Sequence, residues 1–378
     1  MIYLDNAATS GRKPNEVISA VVSGLRHYSS NAGRGGHKAS IKAATAIYGV
    51  RSKISDYFGS DNENSVCFTS GCTASINTVL NGVLEKGDHI IVSSLEHNAV
   101  MRPLSFLAEK RGIQYDIAKI DISAPESSVS SFEKLIKPNT KMIFTTHASN
   151  VTGTVLPIEK ISKLCKANDL LFGVDAAQSA GHKKIDMSAM NIDYLCAPAH
   201  KGLYGPMGVG ILIAKKPIDN VLIMGGTGVN SISMEQPEAL PERIESGTLN
   251  IPGILGTGAA IDFVNKREVK ERIGHQKKLM LHLWKALKNI GAILYCEYEA
   301  QKLCAPVLSF NISGHSSEET ADYLARNNVA VRGGLHCAPK AHETIGTLDN
   351  GTVRISTSVF NSHEEIEKTV YLLKKFKI

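Results

Sequence analysis

Leu170-Leu-Phe-Gly-Val-Asp-Ala-Ala-Gln178 and Tyr194-Leu-Cys-Ala-Pro-Ala-His-Lys201 each begin with a short β-type run, Leu170 to Val174 and Tyr194 to Cys196, that gives way at once to polar residues. Outward from them the same unit recurs. Val66-Cys-Phe-Thr69, His89-Ile-Ile-Val-Ser93, Lys141-Met-Ile-Phe-Thr145 and Val209-Gly-Ile-Leu-Ile213 are further β-type runs. Between them, Thr73 to Leu84, Ala99 to Arg111 and Pro157 to Asn168 read as helices, the last with proline in its first turn. This rhythm predicts an α/β fold, a mostly parallel sheet covered by helices. Ligands of such open sheets bind beyond the carboxyl ends of the strands. Those ends read Thr69-Ser-Gly-Cys-Thr73, Leu95-Glu-His-Asn98, His147-Ala-Ser-Asn150, Asp175-Ala-Ala-Gln178 and Pro198-Ala-His-Lys201, so one cofactor in a single cleft can touch them all.

A chain of 378 residues, 43% of them hydrophobic, suits one large domain and a smaller one. Residues 224–241 are rich in Gly, Ser and Pro and read as a long excursion or hairpin. After it, Ile251 to Ile290 reads as helical, and Val307 to Ile378 as a β-α-β-β-α pattern ending in a helix from His363. The expected division is a large domain over residues 15–250 and a small α+β domain built from 1–14 and 251–378. The net charge of +6 is spread along the chain. Its densest basic stretch, Lys266 to Lys278, is mixed with Glu268 and Glu271 at helical spacing, a solvated face rather than a nucleic-acid patch. No apolar run approaches the roughly 20 residues of a membrane span, and the N-terminus lacks a signal pattern, so a cytoplasmic protein with no membrane partner is expected. Seven cysteines without a CxxC pair point to free thiols in a reducing compartment.

Ser70-Gly71-Cys72-Thr73 is a turn leading into a helix, whose free N–H groups suit a phosphate, with the Thr73 hydroxyl added. Alone, it reads better as an ordinary helix cap. Gly205-Pro-Met-Gly-Val-Gly210 has the wrong spacing for a dinucleotide fingerprint and precedes a strand. A phosphate turn, a carboxylate at one strand end and a lysine at a later one suit pyridoxal 5'-phosphate, with Asp175 on the ring nitrogen and Lys201 as the Schiff-base lysine. Separately, Asp175 reads as a cap and Lys201 as a surface residue; the combination carries the assignment.

With these residues the chain resembles the class V aminotransferases, fold type I enzymes of pyridoxal phosphate, and within them the type II cysteine desulfurases and selenocysteine lyases. The resemblance covers nearly the whole length. Tyr3-Leu-Asp-Asn-Ala-Ala8 is similar to the family's first strand and Asn31 to His37 to its early active-site loop, which implies Ala8 and His37 on the substrate side. It also implies that Thr73, beside Cys72, and His200 bind the phosphate, that His97 stacks on the ring, and that Asn150 lies close to it. Asp175 and Gln178 are implied at the pyridine nitrogen and the phenolic oxygen. Thr248, in Glu245-Ser-Gly-Thr-Leu-Asn250, is implied to reach the phosphate of a partner subunit, hence a homodimer with shared active sites. Relatives commonly carry Thr at the position of Cys72 and Ser at that of Pro198, so phosphate binding here rests more on backbone amides and His200.

Val331-Arg-Gly-Gly-Leu-His-Cys-Ala338 resembles the type II loop, in which the cysteine takes sulfur and the preceding arginine holds the substrate. The implied chemistry is attack by the Cys337 thiolate on the sulfur of L-cysteine, giving L-alanine and a persulfide for a protein acceptor, as in iron-sulfur cluster assembly. Arg332 or His336 would be the cation beside that thiolate. Cys165, Cys196 and Cys296 fit buried core positions better. Arg354, in Val353-Arg-Ile-Ser356, is implied as the bidentate clamp for the substrate carboxylate; on the sequence alone it reads equally as a surface arginine on a strand. A selenocysteine lyase uses the same pocket on L-selenocysteine without needing Cys337, and a plain aminotransferase or β-lyase needs no such nucleophile. His336, Cys337 and His342 as metal ligands lack a second Cys/His pair at finger-like spacing, so no metal is expected. A non-catalytic binding module would make the whole strand-end set a coincidence.

Overall fold

The computed structural model describes residues 1–33, 35–296 and 305–376; Cys304, and Arg34 of the Asn31–His37 loop, lie outside them. Strand β1 (Ile2–Tyr3) is followed by helices α1 (Asn15–His27) and α2 (Lys38–Phe58). Strands and helices then alternate through β2 (Val66–Thr69), α3 (Cys72–Val83), β3 (His89–Ser93), α4 (Asn98–Arg111), β4 (Gln114–Ala118), α5 (Val129–Glu133), β5 (Thr140–Thr146), α6 (Ile158–Ala167), β6 (Leu171–Asp175), β7 (Tyr194–Pro198) and β8 (Gly210–Ala214). The remainder comprises α7 (Ile251–Asn265), α8 (Arg267–Asn289), β9 (Ile293–Leu294), β10 (Val307–Asn311), α9 (Ser317–Arg326), β11 (Val329–Ala330), α10 (Pro339–Ile345), β12 (Val353–Ser356) and α11 (His363–Phe376).

Seven strands form one sheet in the order β2-β8-β7-β6-β5-β3-β4. Only β8 runs against the rest, antiparallel to both neighbours. Alternate residues of each strand feed two different cores. On β7, Leu195 and Ala197 pack with residues of α2, α6 and α7, whereas Tyr194 and Cys196 pack with residues of α3 and α4. Burial on both faces is why these strands are unbroken apolar runs rather than alternating ones. It also brings the carboxyl ends of β2, β3, β5, β6 and β7 to one edge of the sheet, the edge where α/β sheets bind ligands.

A second sheet, β12-β10-β9, is antiparallel and packs its apolar side on α8, α9 and α11 around Phe310, Leu324 and Val370. Strand β1 pairs in parallel with β11, Ile2 opposite Val329, and Leu4 joins that third core, so the start of the chain is stitched to its last third.

Several local expectations change. The helix expected over Ile251 to Ile290 is two helices, broken where Lys266 turns extended at ψ 140°. The halves have different environments: α7 buries most of its residues against α1 and α2, while α8 is a charged helix, and a single reading of periodicity runs across the joint. Pro157 is the residue before α6 rather than in its first turn. The β-α-β-β-α pattern gains α10, opened by Pro339 and closed by Gly346 at φ +70°. Residues 224–241 form no strand, so the excursion is not a hairpin; the Gln236 amide pins it, donating to the carbonyls of Glu242 and Arg243, each at 3.2 Å. Helices α1 and α2 and strand β4 lie outside the elements read from the sequence.

Candidate active site

Helix α3 opens at Gly71, which offers no side chain to cap it, so its first amides are available to an anion. The turn is pressed against β8: a Cβ on Gly210 would stand 2.4 Å from the Gly71 carbonyl carbon, so only glycine fits there. Beside this helix end, Cys72, Thr73, His97, Asn150, Asp175, Gln178 and Lys201 line one cavity of about 50 Å³. Four strand ends and the α3 turn thus deliver seven of the expected residues to one place.

Their electrostatics are set mainly by burial. Asp175 Oδ1 accepts from the Ala177 amide at 2.8 Å and lies 3.7 Å from Cys72 Sγ. Burial raises its carboxyl, and Lys201 pulls it back down. Burial lowers the Lys201 amine while Asp175 opposes the shift, which favours a neutral, nucleophilic amine over an exposed lysine. His97 caps α4, its Nδ1 accepting from Ala99 N at 3.0 Å, so the ring is neutral with its proton on Nε2. Burial, followed by the charge of Lys201, holds His97 at about 4. His200 is likewise held at about 4, and its buried Nδ1 has no partner among the described residues. Its carbonyl accepts from Ser10 N at 2.9 Å, Ser10 Oγ at 3.0 Å and Lys13 Nζ at 3.0 Å, fixing the peptide that presents Lys201. Gln178 Nε2 donates to the Ala7 carbonyl at 3.0 Å.

Cys337 is exposed, whereas Cys165, Cys196 and Cys296 are buried. It follows His336 with both backbones left-handed, at φ +51° and +59°. Neither residue is glycine, and such conformations cost on the order of 1–3 kcal/mol each, so the surrounding structure imposes them. The His336 carbonyl accepts from Asn150 Nδ2 at 2.7 Å, and that of Cys337 from Asn98 N, at the start of α4, at 2.8 Å. Arg332 Nη2 lies 3.6 Å from Cys337 Sγ. Of the two cations expected beside this thiol, only Arg332 reaches its sulfur as a charged group. His336 is 2% exposed, its Nε2 lies 3.0 Å from the Thr352 carbonyl, and burial with Arg354 nearby holds it at about 2, so it is neutral. His342, the third residue of the metal reading of this loop, is buried with its Nδ1 bound to Thr347 Oγ1 at 2.7 Å, and among the described residues it does not form a group of three ligand atoms with His336 and Cys337.

Arg354, on β12, is 1% exposed and is not a surface arginine. Its Nη2 meets Asp5 Oδ1 at 2.8 Å, its Nη1 donates to the Asn150 carbonyl at 3.1 Å, and its Nε has no partner among the described residues.

Other expected residues stay apart. Thr248 is exposed and lines a different cavity of about 310 Å³ with Ser70 and Glu245. His37 is exposed and caps α2, accepting from Ser40 N. Ala8 closes a turn onto the Asp5 carbonyl at 3.1 Å, next to the Ala7 that holds Gln178. The sequence reading passed over Glu96, which is fully buried behind His97 and bound to Thr146 N at 2.8 Å, and Asp5. Its signal was there in Leu95-Glu-His and Leu4-Asp-Asn: an acidic residue inside an otherwise apolar or site-forming stretch.

The model of the aminotransferase class-V family matches residues 2–369. A probable cysteine desulfurase of Vibrio cholerae is 30% identical over 99% of this chain and 93% of its own length. A cysteine desulfurase of Salmonella dublin is 31% identical over 98% of this chain and 92% of its own. Among solved structures, the apo cysteine desulfurase of Thermococcus onnurineus superposes with a TM-score of 0.88 at 29% identity, over 99% of this chain and 94% of that one. The Escherichia coli cysteine desulfurase, at 24% identity and a TM-score of 0.87 over 99% of this chain and 94% of that one, shares the fold. The cavity at the strand ends and these full-length matches agree: the chain belongs to the class V aminotransferase family.

Proposed function

We infer that this protein is a cysteine desulfurase that moves sulfur from L-cysteine onto Cys337, with pyridoxal 5'-phosphate as its cofactor. One observation carries the reading: an exposed cysteine on a strained loop is tied through Asn150 to a cavity lined by Lys201 and Asp175. The donors present fit the cofactor. The uncapped α3 end and the unpartnered Nδ1 of His200 suit its phosphate, Asp175 its ring nitrogen and Gln178 its phenolic oxygen, with His97 over the ring. Bound there, it supplies an electron sink that weakens bonds around the substrate's α-carbon.

The chain's own residues do the rest. Lys201, its amine pushed down by burial, provides the anchoring amine and can carry the proton at the α-carbon. Arg354 offers its free Nε–H to the substrate carboxylate. Cys337, with Arg332 beside its sulfur, attacks the substrate sulfur; the carbon–sulfur bond breaks, alanine leaves and a persulfide remains. The exposure of Cys337 supports delivery of that sulfur to a protein acceptor, including one in iron-sulfur cluster assembly. L-selenocysteine would enter the same pocket.

A homodimer completes this proposal. Thr248 is exposed and away from Lys201, and apolar side chains stand in solvent along α1 (Ile18, Val22, Leu25) and on the excursion (Met224, Ile232, Met234), as an interface requires. A fully active monomer would contradict it. The division at residues 14/15 and 250/251 is part of the same reading, supported by the pairing of β1 with β11. The six cysteines among the described residues are all free, which supports a cytoplasmic site of action, and no described helix is long and apolar enough to cross a membrane.

The test is the visible spectrum of the purified protein, followed by L-cysteine turnover in the wild type and in Cys337→Ala. A cofactor band in both, with alanine and sulfide production lost only in the variant, supports the reading. Turnover retained by the variant would assign a lyase that does not use Cys337, and no band would remove the basis for the cofactor.

A further inference from the structure

We propose that Asn150 is a positioning residue that couples Arg354 to the Cys337 loop, so that a carboxylate held at Arg354 tightens the grip on the nucleophile. The proposal rests on the reading of Arg354 as the carboxylate clamp. Asn150 is 7% exposed and touches both elements at once. Its carbonyl accepts from Arg354 Nη1 at 3.1 Å, and its side-chain Nδ2 donates to the His336 carbonyl at 2.7 Å. One residue therefore spans from the guanidinium to the peptide just before Cys337.

Both ends are poised to move. At the clamp, Arg354 Nε is buried without a partner among the described residues, while Nη2 is already held by Asp5. A carboxylate that takes Nε draws on the guanidinium whose Nη1 holds Asn150. At the other end, two consecutive non-glycine residues sit in the left-handed region, a conformation that relaxes unless something holds it. Four contacts bear on it: the His336 ring on Thr352, Asn98 N on the Cys337 carbonyl, Arg332 Nη2 beside Cys337 Sγ, and Asn150 on the His336 carbonyl. Of these four, only Asn150 also bonds the Arg354 guanidinium. Backbone bridging between Arg332 and Arg354, with Arg354 N donating to the Arg332 carbonyl at 2.8 Å, joins the base of the loop to the same strand and gives the coupling a rigid frame.

The experiment follows amide hydrogen exchange in residues 332–338 of the cofactor-loaded protein, with and without saturating L-alanine, the product whose carboxylate occupies the clamp. In the wild type, L-alanine should slow exchange of this segment. In Asn150→Ala the segment should exchange about tenfold faster, and L-alanine, though still bound, should no longer slow it. Asn150→Asp keeps the size but turns an acceptor towards the His336 carbonyl, so it should behave like the alanine variant. Wild-type exchange in Asn150→Asp would assign Asn150 a space-filling role and overturn the proposal. So would unchanged exchange in Asn150→Ala, or equal protection by L-alanine in variant and wild type. Absence of sulfide release in the wild type would sink the desulfurase reading and leave the exchange comparison standing by itself.

Discussion

Glu245→Ala should be among the more damaging substitutions outside the cavity, because it strands a buried cation. Arg51 and Glu245 are 5% and 9% exposed, and their side chains form a two-point ion pair, with Nη1 to Oε1 at 2.8 Å and Nη2 on Oε2. Glu245 Oε1 also accepts from Phe68 N at 2.6 Å, at the end of β2 that leads into the α3 turn. Breaking one side of a buried pair costs about 3–5 kcal/mol, and the orphaned Phe68 N–H adds to it, so about 4 kcal/mol is expected. At about 2.1 cal/mol/K per residue over 378 residues, that lowers the melting temperature by roughly 5 °C. Burial lifts the Glu245 carboxyl above the usual range despite Arg51 beside it, which shows that the pair itself is held at a desolvation cost. The double replacement Arg51→Met with Glu245→Leu should therefore recover most of the loss. Denaturant unfolding of the three variants reads this out. A Glu245→Ala loss below about 1 kcal/mol, or a double variant no better than the single one, would refute the argument.

Cys72→Thr places a hydroxyl at the uncapped start of α3, where Cys72 now contacts Asp175; one added hydrogen bond of about 0.5–1.5 kcal/mol should lower the dissociation constant for pyridoxal phosphate two- to tenfold, read by absorbance titration. Arg354→Lys loses the planar fork while keeping the charge, so KM for L-cysteine should rise by at least about tenfold with the cofactor band retained. Acid should destabilise the fold early: burial holds His147 at about 3 and His200 at about 4, below the roughly 6.5 of an exposed histidine. Unfolded chains take up those protons first, so this stability is complete above pH 6.5 and is lost as pH falls towards 3; His147→Gln should flatten the slope, measured by denaturant midpoints across that range.

Most of the large sheet was legible because its strands are buried on both faces, which leaves an unmistakable apolar run between polar ends. The strand without that signature was missed: β4 is the edge of the sheet, and Gln114, Tyr115 and Asp116 are partly exposed on it. Helix α1 hid for the opposite reason. Ile18, Val22 and Leu25 face solvent in the single chain, so its apolar residues do not form one inward stripe. The joint at Lys266 was invisible because a change of environment, rather than a glycine or proline, separates α7 from α8.

The cavity was readable for a related reason: the seven expected residues that line it stand at or just past strand ends, and strand ends are local facts. What organises the cavity is not local. Asp5 meets Arg354 across 349 residues and Asn150 meets His336 across 186, and no spacing in the sequence announces either contact. The loop that carries Cys337 makes the point most sharply. Its two glycines suggest that any unusual backbone falls on them, yet the left-handed conformation extends past Gly334 to His336 and Cys337. A local rule broken at residues with a side chain to lose marks a place where the rest of the fold supplies the holding force. Burial then decides which neighbour can act: it empties His336 of charge and leaves Arg332, half-exposed and 3.6 Å from the sulfur, as the cation for Cys337.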